Sequence, residues 1–369
     1  MKILITSGIF PPDIGGPASY VPKIATELSI RGHKVTVLCL SEQDFDDSKF
    51  NFDVIRINRR IFLPVRILLT IIKIISLSVK SDLIFSNTLT FESSIGAIFS
   101  KRPIVHKIVG DYAWERARNK GYFKGTIDEY QNKQKGIKLL LLDTYFKYFL
   151  RFSKTIITPS NYLKDIVIGW NKNLNVVTVY NAIDFPKDLE MSSDKNSFSK
   201  ILTVSRLVSW KNIDQIILSL VELKDFTLDI VGEGPEKESL LALVKENKLQ
   251  RRVNFLGQLT QREVFKKMNQ SDLFILNSSY EGLPHVIVES MYAKIPVICS
   301  NVGGCPEIVK NNKTGLLLNN SNSIENLVNK LRVQKTRESL IQGAYQFVKK
   351  NFNVNSMFDS TIHILTTQL

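Results

Sequence analysis

Cysteine is scarce in this chain, and its three copies follow no pattern that would link them. Cys39, Cys299 and Cys305 lack metal-ligand spacing, and the first two end apolar runs typical of buried strands. Such usage excludes a disulfide framework and indicates a reducing compartment. The N-terminal stretch MKILITSGIF is short and β-rich and is followed by Pro-Pro, which favours a first strand over a secretory signal. We therefore expect a cytoplasmic protein.

A long apolar run free of charge is also missing. The longest candidate, residues 61–80, contains Arg66 and Lys73, and each would cost about 2.5 to 3.5 kcal/mol near the centre of a bilayer. We therefore expect no membrane-spanning helix. Arg66, Lys73 and Lys80 recur every seven residues, so a helix would carry them as a basic stripe beside an apolar face. Either this helix packs on a sheet with its cations in water, or it lies against anionic lipid at the inner face of the cytoplasmic membrane.

Acidic residues are too few to balance the basic ones. The chain has 35 Asp and Glu against 49 Lys and Arg, which gives a formal charge of +14. Residues 1–180 hold 26 Lys and Arg against 15 Asp and Glu, and so contribute +11. The excess indicates an anionic partner, such as a phosphate-bearing ligand or a lipid surface. No helix-turn-helix, zinc or RNA-binding signature accompanies the charge, so we expect no nucleic-acid partner.

Short β-rich runs alternate with helical patterns through both halves of the sequence. KILITS, KVTVLCL and DLIFSN are examples from the first half, and KILTVSRL, FTLDIVG and PVICS from the second. This alternation predicts parallel sheets covered by helices on both faces, and the length favours two such domains. We place them at 1–181 and 201–350, joined by a polar, Ser-rich linker at 182–200. A helical tail at about 351–369 is assigned to the first domain.

Candidate ligand-binding residues follow several predicted strands. Gly15 and Gly16, after the first strand, either let the backbone approach a phosphate or form a tight turn. In the second half, Arg206 and Lys211 follow one strand and Gly232 follows the next. Cations at the carboxyl ends of parallel strands can face a bound phosphate. The alternative is that they are ordinary exposed residues before a helix.

The stretch EGLPHVIVE contains two glutamates that one helix does not explain. Eight steps of about 100° would leave Glu281 and Glu289 about 80° apart around a helix axis. Gly and Pro between them favour a loop followed by a helix that starts near Pro284. The N–H groups of Gly282 and Leu283 and the helix start could then receive a diphosphate, and Glu289 could accept hydrogen bonds from a ribose diol. Alternatively, Glu281 caps the helix and Glu289 lies on its solvated side.

Taken in order, these segments resemble the retaining glycosyltransferases of family 4. SRLVSWKN, VGEGP, FLGQL, SSYEGLPHVIVES and TGLLL match the second half, and the Gly-Gly loop, TPSNYLKD and VVTVYNAIDF match the first, so the resemblance covers nearly the whole chain. Glu281 and Glu289 correspond to the family's E-x7-E motif. The resemblance implies an α/β GT-B fold, in which two Rossmann-like domains with parallel sheets face each other across a cleft. It also implies a nucleotide-sugar donor held by the second domain.

The resemblance implies a role for each candidate residue. The diphosphate is neutralised by Arg206 and Lys211, the ribose is held by Glu289, and the donor sugar is contacted by Glu281. The loop at Gly15 and Gly16 closes over the phosphates from the other domain, and the segment 256–259, which ends at Leu259, flanks the base. In this family, cations and a helix dipole replace a divalent metal, which agrees with the lack of a D-x-D pair at a strand end that could serve the donor. We therefore expect no metal and no cofactor, because the nucleotide sugar is a substrate.

The match departs from the family at PIVHKIVGDYAWERARNKG, where many relatives carry a histidine and this chain has Gly110. The neighbouring Asp111 is the candidate to orient the acceptor hydroxyl or to stabilise charge on the sugar. His106 is either a packed strand residue or an acceptor contact. Trp114 and Arg118 are the aromatic and cationic side chains suited to docking an acceptor.

These residues favour a retaining glycosyltransferase. The expected reaction moves a sugar from a UDP- or GDP-sugar to a glycan or lipid-linked acceptor, in the assembly of bacterial surface polysaccharide or glycolipid. Two alternatives stay open at this point: a nucleotide-sugar epimerase of the same fold, and a non-catalytic sugar-nucleotide-binding protein.

Overall fold

A computed structural model describes residues 1–13, 15–42, 45–133, 135–183, 185 and 198–368. The chain divides into two compact units. Unit 1 comprises Met1–Tyr180 and the C-terminal segment from Asn355, and unit 2 comprises Asn181–Val354. Within the predicted linker 182–200, residue 184 and residues 186–197 lie outside the described part of the chain.

Unit 1 is built on a seven-stranded sheet. Its strands are β1 (Lys2–Ser7), β2 (Lys34–Ser41), β3 (Asp53–Asn58), β4 (Leu83–Asn87), β5 (Ile104–Lys107), β6 (Thr155–Thr158) and β7 (Val176–Thr178). They lie in the order β3-β2-β1-β4-β5-β6-β7, and each neighbouring pair is parallel. The strand order switches direction between β1 and β4, which is where open sheets of this kind bind ligands at the carboxyl ends of the strands.

The crossovers of unit 1 are helical. They are α1 (Gly16–Ile30), α2 (Leu63–Ser78), α3 (Thr90–Ser100), α4 (Tyr112–Asn119), α5 (Ile127–Asn132), α6 (Ile137–Lys147), a 3₁₀ turn at Tyr148–Phe152, and α7 (Asn161–Trp170). A C-terminal helix, Val354–Thr366, also packs on this unit. Its Asp359 accepts from Arg31 Nη2 at 2.6 Å, and its Thr361 hydroxyl lies 3.4 Å from that of Tyr20.

Unit 2 repeats the same design with six parallel strands. These are β8 (Lys200–Val204), β9 (Thr227–Val231), β10 (Val253–Gly257), β11 (Leu273–Leu276), β12 (Val297–Ser300) and β13 (Leu316–Leu318), in the order β10-β9-β8-β11-β12-β13. Its helices are α8 (Ile213–Ser219), α9 (Lys237–Glu246), α10 (Gln261–Asn269), α11 (His285–Tyr292), α12 (Cys305–Ile308), α13 (Ile324–Leu331) and α14 (Gln334–Asn351), with a 3₁₀ turn at Ser209–Lys211. Strand residues such as Ile201, Leu228 and Ile298 form one core with apolar residues of the helices.

The prediction of two parallel α/β sheets is confirmed, but α2 does not lie as its apolar composition suggests. Its buried residues are Thr70, Ile74 and Ser78, whereas Leu68 and Ile72 are exposed. Much of the apolar surface of α2 therefore faces away from the sheet. Within the described residues, no helix combines the length and the apolar character that crossing a membrane requires.

Candidate active site

The loops that follow β8 and β9 in unit 2 are joined through their backbones. Leu207 N donates to Glu233 O at 3.0 Å, and Glu236 N donates to Leu207 O at 3.1 Å. Gly232 has a φ of +134°, and a Cβ on it would lie 1.9 Å from Ser205 O. Glycine is therefore needed at position 232 because two protein backbones approach each other closely there. This contact holds the loop of Arg206 in place.

Lys211 and Glu281 meet at this edge of the sheet. Lys211 Nζ lies 2.5 Å from Glu281 Oε1, and the side chains are 16% and 11% exposed. Ser278 Oγ donates to the same oxygen at 2.5 Å. Two residues that are 70 positions apart in sequence are thus joined in a largely buried, charge-balanced pair. The sequence predicted both residues of the pair but gave no role to Ser278.

The loop of Glu281 is held by a second pair of glycines. Gly304 N donates to Glu281 O at 2.9 Å. Cβ atoms on Gly303 and Gly304 would lie 2.0 Å from Glu281 O and 2.2 Å from Gly282 O. These glycines had no predicted role, although a Gly-Gly pair follows the apolar run PVICS in the way that Gly232 follows FTLDIV.

Glu281 lies in a loop and Glu289 lies on α11, as predicted. The helix begins at His285, with Pro284 as its N-cap residue and no side-chain cap. The Glu281 side chain bonds Lys211 and Ser278, which argues against its alternative role as the helix cap. Burial raises the pKa of Glu289, while a hydrogen bond from Gln261 acts in the opposite direction. Gln261 Nε2 donates to Glu289 Oε1 at 2.9 Å, a contact that no sequence pattern indicates.

The remaining donor candidates lie on loops at the same edge. Arg206 is exposed, and its side chain has no hydrogen bond or ion pair with the residues that the structure describes. Gly282 and Leu283 are partly exposed immediately before α11, and Leu259 is partly exposed just beyond β10. Cations, a helix start and a carboxylate therefore surround the carboxyl ends of β8 and β11 in unit 2.

Gly15 and Gly16 of unit 1 lie at the start of α1. Gly15 is the N-cap residue and Gly16 is the first residue of the helix. A Cβ on Gly16 would have no atom within 4 Å. Packing against the described residues therefore does not require glycine at this position, unlike at Gly232. Residue 14, in the same predicted loop, lies outside the described residues.

Asp111, the candidate to orient the acceptor, is enclosed by other groups of unit 1. It is buried at the N-cap of α4, where Oδ1 accepts from Trp114 N at 3.0 Å. Its Oδ2 accepts from Gln131 Nε2 at 2.9 Å and is 3.6 Å from Lys147 Nζ. Both oxygens thus have partners within the protein, which gives the carboxylate a structural role, and its catalytic role stays a prediction.

Of the three predicted acceptor contacts, Trp114 and His106 are buried, whereas Arg118 is partly exposed and stays a prediction. Trp114 is fully buried, and its Nε1 donates to Gly125 O at 3.3 Å, so its ring is not available to an acceptor. Arg118 donates to the same carbonyl at 3.0 Å and lies over the Trp114 ring. His106 is buried between Ser153 Oγ, 2.8 Å from its Nδ1, and Ser94 Oγ, 3.3 Å from its Nε2. Burial lowers the pKa of His106 to about 4.

Among the described residues, no group of three or more His, Cys, Asp and Glu side chains is placed to hold a metal ion. Positive charge at the strand ends of unit 2 comes from Arg206, Lys211 and the start of α11.

Two family models match the chain in succession. "Glycosyltransferase Family 4" matches residues 14–186, and "Glycosyl transferases group 1" matches residues 185–347. An uncharacterized glycosyltransferase of Methanocaldococcus jannaschii is 26% identical over 95% of this chain and 94% of its own length. The N-acetylgalactosamine-N,N'-diacetylbacillosaminyl-diphospho-undecaprenol 4-alpha-N-acetylgalactosaminyltransferase of Campylobacter jejuni is 36% identical over 40% of this chain and 41% of its own length.

A solved structure shows the fold over the full length. The Anabaena protein Alr3699/HepE, in complex with UDP and glucose, is 21% identical, has a TM-score of 0.79 and matches 100% of both chains. This likeness supports the α/β GT-B fold expected from the sequence. Because the two models together match residues 14–347, the chain belongs to the family 4, group 1 glycosyltransferases.

Proposed function

We propose that this glycosyltransferase moves a sugar from a nucleoside-diphosphate sugar, UDP- or GDP-linked, to a glycan or lipid-linked acceptor, with retention of configuration and without a metal ion. One arrangement carries the proposal: Lys211, Glu281 and Glu289 lie at the carboxyl ends of parallel strands around the start of α11, with Arg206 exposed nearby. Such an edge suits a ligand that combines phosphates with hydroxyl groups.

The diphosphate is the part of the donor that these cations would serve. When the bond between sugar and phosphate breaks, negative charge develops on the departing oxygens, and nearby fixed cations stabilise it. Lys211 is paired with Glu281, so the site does not hold a buried unpaired ammonium group. Arg206 is free of ion pairs with the described residues and supplies the second cation.

The rest of the donor would be held by carboxylates and an apolar side chain. Glu289, one turn into α11, has two oxygens that can accept from the two hydroxyls of a ribose. Glu281 is placed for the sugar hydroxyls, and Leu259 for the base. Gly15 and Gly16, at the start of α1, are proposed to offer backbone N–H groups to a phosphate. The Anabaena structure, which contains UDP and glucose, supports UDP as the first nucleotide to test.

The acceptor hydroxyl must lose its proton as it attacks. Because Asp111 is enclosed by Trp114, Gln131 and Lys147, we propose that the leaving phosphate accepts this proton during attack from the same face, which gives retention. The name of the Campylobacter jejuni relative contains a saccharide joined to undecaprenol through a diphosphate. That name supports a lipid-linked acceptor, and with it a role in bacterial surface polysaccharide or glycolipid assembly, in the cytoplasm at the inner face of an anionic membrane.

A donor panel tests the proposal. The full chain is incubated with UDP-, GDP- and ADP-sugars, and release of nucleoside diphosphate is measured with and without saccharide acceptors. We expect slow release in water from one donor and faster release with an acceptor, and the anomeric configuration of the product should match that of the donor. Conversion of one nucleotide sugar into another would indicate an epimerase, and binding without turnover would indicate a non-catalytic protein; either result would contradict the proposal.

A further inference from the structure

Three neighbouring helices of unit 1 expose apolar side chains together. The crossovers between β3 and β4, β4 and β5, and β5 and β6 advance in one direction across the sheet, so right-handed connections place α2, α3 and α6 on one face. The helices are in contact, since α3 packs against both α2 and α6. The rings of Phe91 on α3 and Tyr145 on α6 stack with centroids 4.5 Å apart.

The outer side of α2 is apolar along its length. Leu68 and Ile72 are 58% and 54% exposed, and Val65 and Val79 are exposed as well. At about 100° per residue these four lie within an arc of about 60°. Lys73 and Lys80 are exposed beside this arc. An ordinary surface helix has the opposite arrangement, with its apolar side on the core and its polar side in water.

The same arrangement continues on α3 and α6. Phe99 of α3 is 70% exposed and Leu141 of α6 is 66% exposed, with Ile137 and Leu140 exposed beside it. No residue of α6 is buried. Lys138 is exposed on the same helix. The exposed apolar side chains of α2, α3 and α6 are called the apolar face below. A large exposed apolar face on a folded protein indicates an interaction surface.

The charge around the apolar face indicates what kind of partner binds there. Residues 59–151 hold 17 Lys and Arg against 7 Asp and Glu, which is +10 of the chain's +14. α2 has no acidic residue. The Asp143 carboxylate of α6 is paired with Lys135 at 2.8 Å and Lys147 at 2.6 Å, and Glu92 of α3 is partly buried. A second copy of this face would bring like charges together, whereas an anionic surface is complementary to it.

We propose that the apolar face docks on an anionic lipid bilayer, with the side chains of α2 and α6 inserted among the acyl chains and Lys73, Lys80 and Lys138 at the phosphate headgroups. The helices lie along the bilayer surface and do not cross it. The inference identifies a surface for the membrane contact named in the proposed function. It does not depend on the sugar-transfer reaction, because no residue of the donor site takes part.

Flotation with lipid vesicles tests the docking. The full chain is mixed with vesicles of phosphatidylcholine alone or with added phosphatidylglycerol, and the bound fraction is measured after flotation. We expect binding to the anionic vesicles that weakens as salt rises. Leu68→Ser with Ile72→Ser should weaken binding roughly tenfold or more, and Lys73→Gln with Lys80→Gln should weaken it by about tenfold. Leu140→Ser with Leu141→Ser is a second apolar variant, in case the first unfolds.

Matched controls come from unit 2. Val221 and Leu241 are 44% and 39% exposed, and Val221→Ser with Leu241→Ser should leave vesicle binding unchanged. Lys224→Gln with Lys245→Gln is the control for charge. Donor hydrolysis without vesicles should be the same in all these variants, which separates failure of docking from failure of the proposed reaction. Equal binding by folded wild-type and variant proteins, no binding to anionic vesicles, or a wild-type dimer that the variants turn into monomers would overturn the proposal.

Discussion

The sheets of units 1 and 2 share the same strand order, but the residues at their strand ends are arranged differently. In unit 2, residues predicted from motifs meet, since Lys211 and Glu281 are 2.5 Å apart. In unit 1, residues predicted for the acceptor turn inward, and Asp111 and Trp114 hold α4 to its surroundings. The motifs of unit 2 combine glycines with charged side chains, and the glycines fix where the backbones meet. In unit 1, the prediction for Trp114 and Arg118 rested on side-chain type, and an aromatic ring suits a core as well as a sugar.

The largest effect on stability is expected at Gly232. In Gly232→Ala a Cβ would lie 1.9 Å from Ser205 O at a positive φ, so the loops after β8 and β9 must separate. We expect the free energy of unfolding to fall by about 3 kcal/mol, measured by urea denaturation. Gly169→Ala is the matched control, because nothing lies within 4 Å of a Cβ there. Equal stability of the two variants would show that the loops are not held by this approach.

His106 should make the stability of the chain depend on pH. Its pKa in the folded state is about 4 and its ordinary value is 6.5, so the unfolded chain binds the proton more readily between these values. The contribution of neutral His106 to the free energy of unfolding is complete above pH 6.5 and is lost as pH falls toward 4. The total loss is up to about 3 kcal/mol. Denaturation of wild type and His106→Gln at several pH values checks this. A difference between the two proteins that is constant over this range would contradict the burial assigned to His106.

Variants of Asp111 distinguish a structural role of this residue from a catalytic one. Asp111→Ala removes the cap of α4 and leaves Lys147 and Gln131 without this partner, so we expect a loss of about 2 kcal/mol in the free energy of unfolding. Asp111→Asn keeps an N-cap oxygen and should lose less. Turnover of the folded fraction should be nearly unchanged in Asp111→Asn. A large drop in turnover at full stability would restore the catalytic role that the sequence suggested.

Variants of Ser278 test whether turnover depends on how the Glu281 side chain is positioned. Its Oγ donates to Glu281 Oε1, and its carbonyl accepts from Ser300 Oγ at 2.6 Å. In Ser278→Ala, Glu281 keeps Lys211 but loses this second constraint, and we expect roughly tenfold lower kcat with little change in KM for the donor. Ser278→Thr should recover part of the activity. A change in KM alone, with kcat intact, would show that Ser278 serves binding and not the placement of Glu281.

The strands and their parallel arrangement could be predicted because buried strands leave continuous apolar runs, such as KILITS and LFIL. The edge strand β3 was missed, since DVIRIN is half-buried and mixes polar with apolar residues. The loop-to-helix division between Glu281 and Glu289 followed from Gly282 and Pro284. The inward direction of Asp111 could not be predicted, because it depends on Gln131 and Lys147, which are 20 and 36 positions away.

The same limit applies to the apolar face. A helical period in residues 61–80 shows that Lys73 and Lys80 share a side, but it does not show which side packs on the sheet. Thr70, Ile74 and Ser78 are the buried residues of α2 because α3 lies against that side. Only the packing of α2 reveals that its apolar residues are exposed, and no sequence pattern indicated the contribution of α6.

Binding of a nucleoside diphosphate to unit 2 tests the central claim most directly. Titration calorimetry with UDP, GDP and ADP on wild type, Lys211→Ala and the surface control Lys224→Ala measures the affinity of each. We expect one diphosphate to bind wild type and Lys224→Ala equally, and to bind Lys211→Ala at least about tenfold more weakly, because the variant loses a charge-assisted contact. Equal affinity of Lys211→Ala and wild type, or no binding of any diphosphate, would contradict the assignment of the donor site to the strand ends of unit 2.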